Sequence, residues 1–392
     1  MERKRTNNHY EERAVKEGED MSDPIVVQKP FFSIGTLDET DLITAVDFNN
    51  TYTVIGTNSG QLFLLDKSGN PDQKLKLSRH RKKVTHIKLT HDSCVISASA
   101  DSTMHIHSLH EDFDYMEIKI KGSEITCFDL RGALNPARIE LFIGDREGMF
   151  FYYEKGWFLE NKRPFHKGGE GSVSNITCYN DVVAWASFES IKFIDFKEKK
   201  KLGYIPRPTL PEDAPEYVRM GSGRPCMVWK PHSETKTKFV FAWYYMVKVY
   251  VLAAEDGGKN LDCIQQFSLE EHNYVCGFAS IADSFLLCNF EGYENHSAML
   301  STYSKTFDLL HQEDVLFTQQ SLFQAIHFQM VPREGTNKGE AVLFNPHQVV
   351  RIQPVTVQDR ITFLLPRKRF DECMQLVKDH ARTLTEETVA KV

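Results

Sequence analysis

His105 and His107 stand two apart in the stretch Thr103-Met104-His105-Ile106-His107, the first place in this chain where residue types and spacing could do chemistry. On a strand, residues i and i+2 share a face, so the pair could offer two imidazoles to a metal ion. No third ligand accompanies them, and they read instead as solvated strand histidines. The carboxylates of Glu270-Glu271, just before His272, could do acid–base work; in their polar run they read as an exposed turn. No P-loop, GxSxG, HExxH or EF-hand pattern occurs, and the 8 cysteines never form a CxxC pair. Cys127, Cys178 and Cys288 fall inside strand patterns, as buried free thiols of a reducing compartment would. The sequence nominates no catalytic residue, no metal ligand and no cofactor site.

Binding chemistry is better represented. Arg79-His80-Arg81-Lys82-Lys83 forms one basic cluster, and Lys197-Glu198-Lys199-Lys200-Lys201 another. Arg79, Arg81, Lys82 and Lys83 could meet acidic lipid headgroups or an acidic partner, each charge near such a surface being worth ~1 kcal/mol. Solubilising charge on loops is the plainer account of both clusters. Trp157, followed by Lys162 and Arg163, is a third candidate, because aromatic and arginine side chains are enriched where proteins dock. Trp157 could equally fill a groove between neighbouring sheets.

The elements that must position these residues are announced by repetition. Val54-Ile55-Gly56-Thr57-Asn58-Ser59-Gly60 runs into Gln61-Leu62-Phe63-Leu64-Leu65-Asp66, and Leu141-Phe142-Ile143-Gly144-Asp145-Arg146-Glu147-Gly148 runs into Met149-Phe150-Phe151-Tyr152-Tyr153-Glu154. The same phrase opens at Thr44, Val84, Ile125, Val173, Pro225, Tyr274 and Phe323, at spacings typical of propeller blades. Inner strands such as Val182-Val183-Ala184-Trp185-Ala186 are continuously apolar, as strands covered on both faces must be. The run Thr103 to Leu109 reads as an alternating outer strand. A seven-bladed, WD-type all-β propeller follows, spanning 25–357, with Val26-Val27 and Phe31-Phe32-Ser33-Ile34 lending the last blade its missing outer strand. Trp185 should be buried between blades.

Outside the propeller, residues 1–24 are too polar to repay their ordering entropy and read as a disordered tail with no secretory signal. Three prolines between 206 and 211, and a fourth at 215, mark Leu202 to Gly223 as an ordered surface loop. From 358 to 392 the period changes: Ile361, Leu364 and Leu365 stripe one short helix, which Asp359 can cap. Phe370, Cys373, Met374 and Val377 stripe a second, the opening hairpin of an α-solenoid. The net charge of −7 argues against nucleic acid as a partner, and no apolar run approaches the ~20 residues that span a bilayer. The expected setting is the cytoplasm.

Several stretches then resemble one family. Gly56 to Asp66 with Gly69-Asn70 is similar to the first-blade signature of the vacuolar protein sorting-associated protein 41 family, tethering subunits of the HOPS complex. His166-Lys167-Gly168-Gly169-Glu170-Gly171-Ser172-Val173, Asp181 to Ala186 and Ile191-Lys192-Phe193-Ile194-Asp195-Phe196 resemble its Gly-Glu-Gly turn and the two strands that follow. Pro206-Arg207, Pro225-Cys226 with Trp229, Val247-Lys248-Val249 and Asn345-Pro346-His347-Gln348 continue the likeness, and Asp359-Arg360-Ile361 with Phe370-Asp371-Glu372 resembles the start of its helical repeats. The resemblance implies a non-enzymatic tether, peripheral on late endosomes, lysosomes or vacuoles, acting in membrane fusion and in endosomal and autophagic transport. It implies as partners the other HOPS subunits, Rab- or Arl-type small GTPases and an adaptor of Golgi-derived carriers. The family's clathrin-heavy-chain-type solenoid and zinc-binding RING have no counterpart here, so the chain reads as the head of a longer tether. A coat- or nucleoporin-like scaffold without GTPase recognition is the other reading the architecture allows.

Overall fold

Gly60 and Gly148 show why each repeat folds back where it does. Both take positive φ (88° and 82°) in the turn after the second strand of their blade. A Cβ at either would lie 2.4 Å from His80 O and 2.3 Å from Gly171 O, respectively, so only glycine lets the neighbouring loop pass this close. In this computed structural model such turns recur around a ring of seven antiparallel sheets. The structure describes residues 25–380 and 384, apart from 37–39, 73–76, 78, 92–93, 110–114, 136, 157–159, 215, 217–218, 220–222, 234–235, 256–257, 271–272, 282–283, 292–297, 318–326 and 334–338.

Blade 1 carries three described strands between Ile43 and Leu65; blades 2 to 6 carry four each, closing at Lys119, Lys167, Pro206, Ser268 and Asp314. Blade 7 combines Gln329–Pro332, Ala341–Phe344 and Gln348–Pro354 with the N-terminal strand Val26–Ser33, which pairs on its outer edge. The borrowed strand is therefore a single one, covering both segments expected to supply it. Gln28 pins it to blade 6: its amide donates to Asp314 O (2.8 Å) and accepts from Leu316 N (2.9 Å). Phe323, the expected opening of the seventh repeat, lies outside the described residues.

The first strand of each blade lines a central channel, and among blades 1 to 5 hydrogen bonds tie neighbouring first strands together. At one end, Thr44 donates to Val84 O (2.6 Å), Thr126 to Val173 O (2.5 Å) and Asn175 to Pro225 O (2.9 Å). Toward the other end, Asp47 accepts from Leu89 N (2.6 Å), and Asp129 accepts from Cys178 N (2.7 Å) and from the Lys88 ammonium. Every blade of the set thus satisfies backbone groups its neighbour would otherwise leave unpaired.

Apolar cores fill the space between blades. Between blades 3 and 4, Phe142, Phe150, Val173, Ile176 and Trp185 form one such core, with Trp185 stacked on Phe150 at 4.5 Å between ring centroids. Three expectations change. Thr103–Ser108 is the third strand of its blade, with Met116–Lys119 paired outside it, and it is buried rather than alternating because His80 and Tyr115 cover the face that carries His105 and His107. His105 and His107 are buried with it, not solvated. The stretch expected to loop from Leu202 begins as strand, Lys200–Pro206, so the Lys197–Lys201 cluster marks a hairpin within blade 4 rather than an exit from it.

Among the described residues, 25–27 and those from Val355 onward fall in a second compact unit. Within it, helix α1 spans Val357–Leu364 and helix α2 Phe370–His380. Asp359 does not itself cap α1. Thr356 holds that place, accepting from Asp359 N (3.1 Å), while the Asp359 carboxylate accepts from Thr356 N (3.0 Å), a reciprocal capping box. Ile361, Leu364 and Cys373 are buried, whereas Phe370 and Met374 of the expected stripe stand exposed.

Candidate docking face

Strand alternation puts the connections between blades at the same end of the channel as the turns between second and third strands. This end holds most of the polar chemistry. In blade 2, His80 is buried beneath its loop: Nε2 pairs with Ser97 Oγ (2.9 Å), Nδ1 with Thr103 Oγ1 (3.0 Å), and the ring stacks on His105 at 3.7 Å. Asp101 lies 3.6 Å from Nδ1, takes the Arg81 N–H (2.7 Å) and binds the Thr103 hydroxyl (2.6 Å). Burial, then the neighbouring His105, push the His80 imidazole down to about 4, and burial does the same to His107. His80 is thereby a neutral strut, with both ring nitrogens already engaged by hydroxyls of its own blade.

Blade 4 solves the same problem with Glu170. Its carboxylate holds the Lys192 ammonium and the Ser187 hydroxyl (3.0 Å), and its backbone carbonyl accepts from Phe188 N (3.1 Å). The flanking glycines, Gly169 and Gly171, take φ of 94° and 75°, which lets the carboxylate turn inward. Blade 1 uses Asp41, which accepts from Ser59 (2.9 Å) and Gln61 (3.2 Å).

The basic cluster of the blade 1–2 connection is divided by the fold. The Arg79 guanidinium folds back on Ser59 O (3.0 and 3.2 Å) and locks the blade 1 turn. Arg81 and Lys82 are exposed on the same face. Lys83, exposed as well, lines the mouth of the channel, where it shares the cavity with Arg224 of blade 5, a residue the sequence did not single out. Lys162 and Arg163 are exposed on the outer strand of blade 3 (Glu160–Lys167), away from the channel. The Lys162 ammonium sits 3.9 Å from the Phe151 ring centroid and donates to Lys121 O (3.2 Å), so it braces the groove between blades 2 and 3. Trp157 lies outside the described residues.

Sequence reading also missed an aromatic–arginine patch. The Arg207 guanidinium is 4.0 Å from the Phe188 ring centroid and 5.2 Å from that of Tyr244, bridging the turns of blades 4 and 5. Phe188 is partly open to solvent. The proline beside Arg207 was legible, but the meeting of two turns from separate repeats was not. Two of the thiols are held far from reactivity: burial pushes Cys127 and Cys226 up to about 12, away from the thiolate that attacks or ligates.

This architecture has a known counterpart. The family model described as the Vps42 beta-propeller, labelled for Vps41, matches residues 34–326, which carry blades 1 to 6. The chain belongs to the Vps41 β-propeller family. Among curated proteins it is similar to the vacuolar protein sorting-associated protein 41 homologs of Danio rerio (21% identical, covering 90% of this chain and 41% of that protein) and Homo sapiens (20%, covering 85% and 39%). That of Solanum lycopersicum is 22% identical over 69% of this chain and 27% of its own. The chain thus spans about two fifths of the length of its animal relatives. The Cps50 (Swd1) β-propeller domain of Myceliophteria thermophila superposes with a TM-score of 0.61 at 12% identity, covering 84% of this chain and all of that one, a likeness of fold alone. In this chain the Gly169-Glu170-Gly171 turn is the device that seats Glu170 against Lys192 and Ser187 of blade 4.

Proposed function

We propose that this chain is the propeller head of a HOPS-type tethering subunit, acting without catalysis at late endosomal, lysosomal or vacuolar membranes. In this reading the propeller docks Rab- or Arl-type small GTPases, or an adaptor of Golgi-derived carriers, while other HOPS subunits assemble around the same protein. Family membership across residues 34–326 is the observation that carries it. The face with Arg81, Lys82, Phe188 and Arg207 suits a protein partner, since it combines exposed cations with an arginine-bridged aromatic pair on rigid turns. Acids on this face already hold structural bonds, as Asp101 and Glu170 do, which supports a binding role for it.

Pull-down with late-endosomal GTPases loaded with GTP or GDP tests the reading. Capture that depends on GTP and falls on Phe188→Ala is the expected result. Equal capture of both forms, or none by any GTPase tried, would favour a scaffold whose role is assembly geometry.

A further inference from the structure

Lys83 and Arg224 belong to blades 2 and 5, yet they line one cavity, the central channel, with a volume of about 790 Å³. Each immediately precedes or nearly precedes the first strand of its blade, Val84–Leu89 and Cys226–Pro231, so both enter at the end where the chain crosses between blades. Among the described residues neither side chain has a hydrogen-bond or ion-pair partner. The acids nearby are committed elsewhere. Glu124 accepts from Arg146 (2.8 Å), Asp145 accepts from Met149 N (2.8 Å), and Glu170 is held by Lys192 and Ser187.

The two cations feel each other. The Lys83 side chain is exposed at the channel mouth, yet its ammonium is held below its ordinary range by partial desolvation and, next, by Arg224, against the pull of Glu124. Arg224 also depresses the His86 imidazole on the same wall, after burial. It borders a second recess of about 470 Å³ as well, lined by the hydroxyl residues Thr126, Ser172 and Ser174. Glu124 is the acid that acts on Lys83, but it already pairs with Arg146, and Asp129 on the channel wall pairs with Lys88. Like charges converging on a concave mouth in excess of their free acids make a standing attraction for an anion.

We propose that this mouth of the channel binds a phosphate-bearing small molecule, with Lys83 and Arg224 as its charge contacts. A phosphate presents oxygens in several directions and can be bracketed from two blades at once, whereas a carboxylate offers two in one plane. The guanidinium fork matches phosphate geometry, and the cavity has the size of small-ligand sites. A free inositol phosphate and the headgroup of a phosphoinositide share this chemistry. The site is independent of GTPase docking, so either can fail without the other.

Titration calorimetry of the full chain with inositol hexakisphosphate and with inorganic phosphate tests the site. Alongside it, flotation uses phosphatidylcholine vesicles with and without phosphatidylinositol 4-phosphate. Saturable binding that weakens with salt is expected for inositol hexakisphosphate. Lys83→Gln and Arg224→Gln should each weaken it by about tenfold or more, and together abolish it. Arg224→Lys, which keeps charge but loses the fork, should fall between, and Lys162→Gln should bind as the parent does. Vesicle binding competed by soluble inositol hexakisphosphate supports a headgroup as ligand; binding of the soluble compound alone supports a free one. Failure of all probes to bind saturably overturns the site, as does a folded double variant that binds like the parent. Without ligand, each single variant should melt at or above the parent temperature, because a repulsion is removed; a lower midpoint for both would show instead that the pair is structural.

Discussion

Asp129 illustrates how much one side chain does in this protein. It accepts from its own strand at Leu130 N (2.9 Å), from Cys178 N on the next blade, and from Lys88 on the previous one, so three blades meet at a single carboxylate. Apolar contacts between blades are as concentrated, and Trp185 is the clearest case. Its ring is buried against Phe150, with Phe142 and Ile176 in the same core. Trp185→Ala removes that stack and leaves a cavity that rigid strands on both sides cannot close, so unfolding free energy should fall by about 3–5 kcal/mol. Trp185→Phe should recover most of the loss. Urea melts of the three proteins check this, and a Trp185→Ala variant as stable as the parent would contradict the packing between blades 3 and 4.

At the scale of elements, the blade is a unit that cannot finish itself. Blade 7 lacks an outer strand until Val26–Ser33 arrives from the other end of the chain, and Gln28 fixes that strand by bonding the backbone of blade 6. Gln28→Leu keeps the strand's bulk but leaves Asp314 O and Leu316 N without their partner, at a cost of about 1–3 kcal/mol. Hydrogen exchange offers the sharper readout. Amides of Gln348–Pro354, the strand that the closing strand covers, should exchange faster in Gln28→Leu, whereas those of Val182–Ala186 in blade 4 should not change. The borrowing was legible in the sequence because an apolar run preceded the first repeat and the seventh came up one strand short. The turns at Asn58-Ser59-Gly60 and Asp145 to Gly148 were legible because glycine there is a steric requirement. His105 and His107 misled, since spacing along a strand says which face residues share but not what will cover that face. The Phe188–Arg207–Tyr244 patch and the Lys83–Arg224 pair were illegible for a related reason: ring closure, not local pattern, brings their blades together.

For the whole propeller, the buried histidines predict how stability must depend on pH. In the folded protein His80 and His107 are held to about 4, against an ordinary value of 6.5. Burial is the first cause in each case, followed by Coulombic opposition from His105; Asp101 pulls His80 the other way without prevailing. The folded state therefore binds fewer protons than the unfolded chain between about pH 6.5 and 4, and stability must rise with pH across that window. The stabilisation is fully present above 6.5 and is lost progressively as pH falls toward 4, by about 3 kcal/mol at most for each histidine. Carboxylates such as Asp101, whose pKa is lowered in the fold, add a further loss only below their ordinary value of 3.8. Urea midpoints measured at pH 7.5, 6.5, 5.5 and 4.5 should stay level between the first two and then drop steeply. His107→Phe, which fills the same buried face beside Tyr115 and cannot take up a proton, should soften that drop. A profile flat down to pH 4.5 would mean the imidazoles reach solvent in the folded protein, and the packing of blade 2 described above would have to be wrong.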